Sequence, residues 1–407
     1  MMARLTSCMY AADTEQTGLY PTFTQNATTK EWVAVNGGLP QVANMSAHLS
    51  QWSEEIEAMI PDPQSTAVVG LDWEDWQPYW DGNNRRAMAE PDQDIFQNES
   101  MKLVKAQHPT WNDAQVLAEA KKQFNLGAEM FWTETFKLAQ KMRPNALWSN
   151  YDTGHCGNYA CNDAEYYPWQ AQAERLGYRP KTYPPIALPA SQPPALCPAP
   201  NDNDSDELLW MWKLLDVIEP VIYLSTQNAS FNRAYVDCKL GEARRVATLA
   251  RPLRGGKRMP IYAYGWYDWN AMFGDSATSQ YLNQSALDTI FLRAAMKHGI
   301  DGVFMWGGGF RDCASAFECK GSGTCAGGHC TANTSIGTYV NTLLGPAVQT
   351  AVTTAAACSV GRCGGRGRCF DCPEPFDATG FAECRCDCDD GHSGAACASN
   401  APLEAAL

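Results

Sequence analysis

The sequence lacks long hydrophobic runs and an excess of basic residues. No apolar stretch reaches the roughly 18 residues that a membrane-spanning helix needs, so no membrane span is predicted. Lys and Arg number 31 against 45 Asp and Glu, a net charge of −14. This acidic balance argues against nucleic-acid binding, which uses a basic surface. With 45% hydrophobic and 19% charged residues among 407, the chain is expected to form two or three globular domains.

Cysteine is absent from residues 9–155, whereas residues 358–397 contain eight cysteines. A segment of that size cannot fold on apolar burial alone and needs disulfides or metal ions. Only Cys369 and Cys372 have the C-x2-C spacing of a zinc knuckle, so disulfides are favoured over a metal site. Disulfides imply an oxidising compartment, and the chain is expected to be secreted or lysosomal, although residues 1–16 contain no signal peptide.

Asn-x-Ser/Thr triplets support the same compartment, because they are the acceptors of N-linked glycans. Seven occur without proline in the middle, and the sequence does not distinguish those that carry a glycan. They begin at Asn26, Asn44, Asn98, Asn203, Asn228, Asn283 and Asn333.

Helical patterns alternate with short apolar runs along most of the chain. Five such repeats indicate an α/β fold with a parallel sheet and crossover helices. Over about 340 residues this favours a (β/α) barrel, in which the chemistry lies at the carboxyl ends of the strands. Ser46 is predicted to cap the first helix. Helices are predicted at 46–60, 112–142, 206–218, 234–250 and 278–299, and strands at 66–71, 146–151, 221–224, 260–264 and 302–306, with a long irregular excursion at 152–206.

Two carboxylates follow the first predicted barrel strand. Asp72 and Glu74 are two residues apart, so an extended strand would direct both to one face, and their repulsion would raise one pKa. A protonated carboxylic acid is the general acid that glycoside cleavage needs. A solvated acidic turn is the alternative interpretation. The neighbouring Trp73, Trp76 and Trp80 favour the functional interpretation, because they would provide a sugar-stacking wall and a dry setting.

Aromatic residues stand at the ends of the other predicted strands. They are Tyr151, Tyr223, Tyr267 and Trp306. Each by itself is more typical of core packing than of ligand binding. Together with the two carboxylates they predict a carbohydrate-binding cleft.

Several short segments carry a family resemblance. They are Gly37-Gly38-Leu39-Pro40-Gln41, Asp72-Trp73-Glu74-Asp75-Trp76-Gln77-Pro78, Ala106-Gln107-His108-Pro109, Tyr223, Tyr267-Asp268 and Trp306. These segments resemble the animal hyaluronidases, glycoside hydrolase family 56. The resemblance extends from about residue 18 to 398 and implies a distorted (β/α) barrel over 1–350, followed by an EGF-like cysteine-rich module over 355–398.

The resemblance implies endo-acting hydrolysis of β-1,4 N-acetylhexosaminide bonds in hyaluronan or chondroitin by a monomer without a cofactor. Glu74 matches the general acid, and Asp72 matches the residue that orients the substrate acetamido group, whose oxygen is the nucleophile in a retaining mechanism. Tyr223 is expected to hydrogen-bond that oxygen. The expected substrate-binding residues are Tyr151, Tyr267, Asp268, Trp306 and Lys239. The alternative is a catalytically inactive carbohydrate-binding or adhesion protein on the same fold.

Basic residues in 239–258 pose a separate question. Lys239 stands where the family has an arginine, and a lysine keeps the charge but loses the bidentate fork that suits a carboxylate. Residues 239–258 hold seven basic residues against Glu242 alone. They are interpreted either as lying beside the sugar groove or as a solvated helix face.

The resemblance also implies a disulfide pattern and a missing start. The family's first strand should precede Gly18, but residues 1–17 do not match it, so a truncated barrel with an exposed edge is expected. The pairs implied by the resemblance are Cys358–Cys369, Cys363–Cys386 and Cys388–Cys397, which leaves Cys372 with Cys384.

Overall fold

The structure is a computed structural model that describes residues 6–10, 18–83, 95–152, 204–224, 229–267, 281–306, 323–326, 329–332 and 336–400. These residues divide into two compact units. The first unit contains the described residues up to Tyr151 together with Asp204–Val217, and the second contains Asp152 and the described residues from Ile218 onward. The predicted excursion at 152–206 falls almost entirely outside the described residues.

The first unit combines a parallel sheet, a hairpin and packed helices. Strands β1, β4 and β5 lie in the order β1–β4–β5, all parallel, and β2 pairs with β3 in an antiparallel hairpin. Short 3₁₀ helices cover Pro40–Val42 and Trp80–Asn83. The elements are β1 Thr6–Tyr10, β2 Thr22–Gln25, β3 Trp32–Val35, α1 Met45–Met59, β4 Val68–Asp72, α2 Ile95–Gln107, α3 Asp113–Met142, β5 Leu147–Asn150, α4 Asp204–Glu207 and α5 Leu209–Leu214.

A strand occupies the edge of β4 where the sequence analysis expected none. Thr6–Tyr10 pairs in parallel with the whole of β4, with Thr6 opposite Val68 and Tyr10 opposite Asp72. The expectation of an exposed edge beside β4 is therefore wrong. The pattern missed β1 because its five residues show neither alternation nor a continuous apolar run, and strand formation depends on the neighbouring strand more than on intrinsic propensity.

Two helices of the first unit, α1 and α3, begin at asparagine caps. In α1 the carboxamide oxygen of Asn44 accepts the Ala47 N–H at 3.1 Å, so Asn44 and not the predicted Ser46 is the cap. In α3 Asn112 and Gln115 form a reciprocal capping box. The buried face of α3 places Phe124 and Phe131 against the tryptophans that follow β4, among them Trp76.

The second unit continues the alternation of helix and parallel strand. Strands β6 and β7 pair in parallel, with Trp266 opposite Trp306. Single-turn π segments join α7 to α8 and α9 to α10. The elements are α6 Ala229–Leu253, β6 Tyr262–Trp266, α7 Gln284–Asp288, α8 Ala294–His298, β7 Gly302–Trp306, β8 Gly323–Ala326, β9 His329–Ala332, α9 Ile336–Tyr339, α10 Gly345–Cys363, β10 Gly367–Phe370, β11 Arg385–Cys388, β12 His392–Ser393 and β13 Ser399–Asn400, with a 3₁₀ helix at Phe381–Glu383.

The strand predicted at 221–224 is present only as single bridges. Ile218 and Val221 each form one parallel bridge to the β6 side, at Ile261 and Tyr264. Pro220 lies between them and has no N–H to donate to a ladder, which interrupts regular pairing.

The cysteine-rich segment has the disulfide pairing that the resemblance implied. The four bonds Cys358–Cys369, Cys363–Cys386, Cys372–Cys384 and Cys388–Cys397 confirm the predicted pattern. Strands β10 and β11 form an antiparallel hairpin within it, and the cystines pack with Met296 of α8 into one buried cluster.

One helix in the described part of the chain, Gly337–Cys363, is long and apolar enough to cross a membrane by length and composition. Core helices of globular proteins pass the same test, and 22% of the apolar window of this helix is buried. The predicted absence of a membrane span therefore stays a prediction.

Candidate active site

The two candidate carboxylates lie at the carboxyl end of β4 in the first unit. Asp72 is the last residue of β4 and is half-buried, whereas Glu74 lies two residues further and is exposed. The strand therefore ends in one carboxylate that is partly covered by protein and a second that faces solvent. This is the edge at which catalytic groups occur in parallel barrel folds.

Hydrogen bonds to the segment Tyr20–Thr22 fix the turn that carries Glu74. The Trp76 indole N–H donates to the Pro21 carbonyl at 2.8 Å, and the Trp76 backbone N–H donates to the Tyr20 hydroxyl at 3.3 Å. The Thr22 hydroxyl donates to the Asp75 carboxylate at 2.6 Å. These bonds fix the two residues that follow Glu74, which contributes to the preorganisation that a catalytic group needs.

Asn83 closes the other end of the same turn. Its carboxamide oxygen accepts the Gln77 N–H at 2.8 Å, and its NH₂ group donates to the carbonyls of Gln77 and Tyr79 at 2.9 and 2.7 Å. The sequence analysis missed this residue. A lone asparagine outside any motif gives no signal of such a role.

The three tryptophans of this region are core residues and not a sugar-stacking wall. Trp73, Trp76 and Trp80 are only 2%, 1% and 3% exposed. Tyr20 stacks on Trp73 and Trp76 with centroid distances of 4.9 and 5.5 Å. The prediction of a sugar-stacking wall is therefore wrong, because these side chains pack against α3 and not toward solvent.

Tyr151 lies beside the same strand end. Its backbone N–H donates to the Leu71 carbonyl at 2.8 Å, one residue before Asp72. Strands β4 and β5 are parallel neighbours, so their carboxyl ends meet at one edge. The structure thus brings together Asp72, Glu74 and Tyr151, three of the residues that the sequence singled out.

Tyr223 and Tyr267 belong to the second unit. Tyr223 is half-buried, and its ring lies 5.1 Å from that of Trp266 at the end of β6. Tyr267 follows β6 directly, and its carbonyl accepts the Leu282 N–H at 2.9 Å and the Tyr339 hydroxyl at 3.2 Å. Both tyrosines therefore have an aromatic neighbour, which is Trp266 for Tyr223 and Tyr281 for Tyr267.

Lys239 lies inside the second unit and is 1% exposed. Its ammonium nitrogen is 3.9 Å from a carboxylate oxygen of Asp152, and that oxygen also accepts the Val221 N–H at 3.3 Å. Asp152 has a positive φ of 53°, a conformation that few side chains adopt. Lys239 is thus placed to hold Asp152, which in turn binds the backbone two residues before Tyr223.

The side-chain positions of two predicted site residues, Asp268 and Trp306, are not described. Asp268 lies outside the described residues. Trp306 is the last residue of β7, where its backbone pairs with Trp266, and the description does not extend to its side chain.

Three arginines of the basic run in 239–258 have an environment that differs from both predicted alternatives, whereas Lys257 is exposed. Arg244, Arg251 and Arg258 bind the Asp387 carboxylate of the cysteine-rich segment at 2.7, 3.1 and 2.7 Å. Arg258 also forms a bidentate pair with Asp301, with both distances 2.8 Å. These three arginines therefore join α6 and the loop after it to the cysteine-rich segment. They form neither a solvated face nor a free basic edge of a groove.

Comparisons with known proteins agree with this arrangement. The sequence model of the hyaluronidase family, glycoside hydrolase family 56, matches residues 8–175 and 192–376. Hyaluronidase-1 of Sus scrofa is 28% identical over 365 residues, which are 89% of this chain and 69% of that protein. Hyaluronidase-1 of Homo sapiens is 28% identical over 87% of this chain and 67% of that protein. The chain thus spans about two thirds of the length of these relatives.

A solved structure shows the same fold. Bee venom hyaluronidase in complex with a hyaluronic acid tetramer superimposes with a TM-score of 0.61 at 24% identity, covering 85% of this chain and 87% of that chain. The fold is the distorted (β/α) barrel that the sequence analysis predicted. The chain belongs to the hyaluronidase family, a family of glycoside hydrolases.

Proposed function

We propose that this protein is an endo-acting hydrolase of β-1,4 N-acetylhexosaminide bonds in hyaluronan or chondroitin. Family membership supports the reaction class, and bee venom hyaluronidase, which shares the fold, binds a hyaluronic acid tetramer. The observation that carries the proposal is the strand end of β4, where an exposed Glu74 follows a half-buried Asp72. Hydrogen bonds of Asp75, Trp76 and Gln77 fix the turn that follows Glu74.

Glu74 and Asp72 divide the chemistry between them in this proposal. Glu74 donates its proton to the glycosidic oxygen as the bond to the anomeric carbon breaks. The acetamido oxygen of the substrate attacks that carbon, and Asp72 orients the acetamido group and stabilises its positive charge. Water then opens the cyclic intermediate with net retention, and Glu74 takes the proton back from the water. Because Glu74 is exposed, its carboxyl group is accessible to the glycosidic oxygen of a bound polymer.

The remaining predicted residues bind the sugar chain. Tyr223 donates its hydroxyl to the acetamido oxygen, and Tyr151, Tyr267, Asp268 and Trp306 contact the neighbouring rings. Lys239 is too deeply buried for direct contact with a polymer, and we assign it an indirect role through Asp152. No cofactor takes part, and the protein acts as a monomer.

The four disulfides of the cysteine-rich segment support a compartment with oxidising conditions, and we propose secretion or delivery to lysosomes. The EGF-like segment then serves as a support of the barrel. Its arginine contacts with α6 favour this role over that of a separate binding module.

Glu74→Gln tests the general acid. The substitution keeps the shape of the side chain but removes its proton, so release of reducing ends from hyaluronan and chondroitin should fall by at least about 100-fold. Asp75→Asn is the matched control, because Asp75 is the adjacent exposed carboxylate and the amide oxygen of asparagine can still accept the hydrogen bond from Thr22. Its activity should stay within a few-fold of that of the wild type.

Two results would reject the proposal. If the folded wild-type protein cleaves neither polymer but still binds one of them, the inactive carbohydrate-binding alternative is correct. If Glu74→Gln retains full activity, another group is the acid.

The acetamido mechanism has its own test. Hyaluronan from which acetyl groups have been removed chemically should resist cleavage at the deacetylated sugars, because the nucleophile is then missing. Cleavage at those sugars at the normal rate would instead indicate a nucleophile that belongs to the protein.

A further inference from the structure

Four of the seven Asn-x-Ser/Thr triplets lie in the described residues, and the structure separates them into two kinds. In three of them the asparagine and the hydroxyl residue are both exposed. These pairs are Asn26 with Thr28, Asn44 with Ser46, and Asn283 with Ser285. In the fourth, Asn98 is exposed but Ser100 is 0% exposed, and its hydroxyl oxygen accepts the Gln41 side-chain N–H at 2.8 Å.

The three exposed triplets use their asparagine in the same way. The carboxamide oxygen of Asn26 accepts the N–H groups of Thr28 and Thr29 at 2.9 and 3.0 Å in the turn of the β2–β3 hairpin. The oxygens of Asn44 and Asn283 accept the N–H groups of Ala47 and Ala286 at 3.1 and 3.0 Å. Within the described residues, none of the three NH₂ groups makes a hydrogen bond. The oxygen therefore has a structural role, and the nitrogen, which is the atom that a glycan would use, is available.

Asn98 differs because its triplet lies inside α2. Residues two apart on an α-helix are about 200° apart around its axis, so the Asn98 amide and the Ser100 hydroxyl point to opposite sides. The glycosylating enzyme must reach both groups at once. Helix formation and the bond to Gln41 remove the hydroxyl from reach.

We propose that Asn26, Asn44 and Asn283 carry N-linked glycans and that Asn98 does not. The donor is an oligosaccharide linked to a lipid pyrophosphate. The new bond joins the asparagine Nδ2 to the anomeric carbon of the first amino sugar, as the bond from that carbon to the phosphate oxygen breaks. Nδ2 loses one proton, and the lipid pyrophosphate leaves with the electron pair.

The glycan leaves each local structure intact. Because the carboxamide oxygen stays in place, Asn44 still caps α1 and Asn283 still caps α7 after modification. The hairpin turn at Asn26 likewise keeps both of its hydrogen bonds to the modified side chain.

The test is to express the full chain behind a secretion leader in cells that perform N-glycosylation. The secreted protein is treated with peptide N-glycosidase in heavy-oxygen water, which converts each modified asparagine into a labelled aspartate. Peptide mass spectrometry should find the label at Asn26, Asn44 and Asn283, and unmodified asparagine at residue 98.

Matched variants separate the glycan from the cap. Ser46→Ala and Ser285→Ala each destroy a triplet but keep the capping asparagine, so each should remove one glycan without changing the unfolding midpoint of the deglycosylated protein. Thr28→Ala should remove the third glycan, and Asn98→Gln should leave the glycan count unchanged. Translation of the same variants with microsomes gives the count by gel mobility if secretion fails. Unmodified asparagine at 26, 44 or 283, or a glycan at residue 98, overturns the proposal.

Discussion

At the scale of single residues, His48 is the buried titratable group with the clearest consequence. Its ring is fully buried, its Nδ1 accepts the Leu19 N–H at 3.0 Å, and its Nε2 lies 2.8 Å from the Thr135 hydroxyl. That hydroxyl donates to the Phe131 carbonyl, so its oxygen must accept the Nε2 proton. Every polar atom of a neutral imidazole is thus satisfied. Burial lowers the pKa of His48 from 6.5 to about 4.

The protein should therefore lose stability as the pH falls from about 6.5 to 4. Over this range the unfolded chain binds a proton at His48 that the folded protein excludes, and the loss amounts to about 3 kcal/mol. Over the same pH range, the free energy of unfolding of His48→Gln should fall by about 3 kcal/mol less than that of the wild type. Glutamine can accept a hydrogen bond from Leu19 and donate one to Thr135, but it does not titrate. Urea unfolding at about pH 7 and about pH 4.5 measures both proteins.

The comparison isolates His48 because other buried groups titrate equally in both proteins. Burial also lowers the pKa of His298, and that contribution cancels in the difference. Equal pH dependence of the two proteins would contradict the assignment of a neutral His48.

The sequence singles out the carboxylates of the candidate site but does not reveal which residues surround them. Asp72 and Glu74 were found because an apolar run marks β4 and the carboxylates follow it directly. The environment of Trp73 was not predicted, because its burial depends on Phe131 and Trp132 of α3, which are almost sixty residues away in the sequence. Lys239 shows the same limit, since its partner Asp152 belongs to a different element.

At the scale of elements, Gly127 of α3 shows how the Gly37–Gln41 motif packs against a helix. A Cβ at Gly127 would overlap the backbone atoms Cα and N of Gln41, which ends the Gly37–Gln41 motif. The glycines of that motif have positive φ values, 93° at Gly37 and 75° at Gly38. The motif is thus a tight turn that lies directly on the backbone of α3.

Gly127→Ala should destabilise the protein by about 2 kcal/mol, although alanine favours helices more than glycine does by about 1 kcal/mol. The added methyl would push α3 away from rigid backbone. Gly361→Ala in α10 is the matched control, because nothing lies within 4 Å of its Cβ position. It should stabilise by about 0.5–1 kcal/mol. Denaturant unfolding of both variants gives the sign of each change in the free energy of unfolding. If Gly127→Ala stabilises the protein, α3 does not pack closely on the Gly37–Gln41 motif.

Prediction of the elements succeeded where apolar spacing was regular. Helix α3 was predicted at 112–142 and lies at Asp113–Met142. Helix α2 was missed, because its large buried apolar side chains are only Phe96 and Val104, too few to show a helical period. Strand β1 was missed because its pairing comes from β4 and not from its own pattern.

At the scale of the whole molecule, one carboxylate organises the attachment of the cysteine-rich segment within the second unit. Asp387 of β11 receives three arginines, although Arg244 is 143 residues away in the sequence. Charge runs in a sequence do not reveal such a partner, which is why the basic run was assigned to a groove or to solvent. Burial alone would raise the pKa of Asp387, but Arg244 and Arg258 overcome it and hold that pKa below the ordinary value.

This contact should persist in mildly acidic solution. A carboxylate whose pKa is lowered by folding contributes stability above its ordinary value of 3.8 and loses it only as the pH falls further. Asp387 and His48 therefore affect stability in different pH ranges, because the effect of His48 begins near pH 6.5. An acid titration of stability should show the two in separate ranges.

Asp387→Asn should destabilise the protein by about 3 kcal/mol, because it leaves the buried Arg244 without its counter-charge, although Arg258 keeps its pair with Asp301. Asp371→Asn is the matched control. Asp371 lies in the same segment and also faces basic groups, Lys297 and Arg385, but its side chain is 47% exposed against 14% for Asp387. The control should change stability by no more than about 0.5 kcal/mol. Denaturant unfolding with the disulfides intact compares the two, and equal effects would mean that the segment is held by its cystine packing against α8 alone.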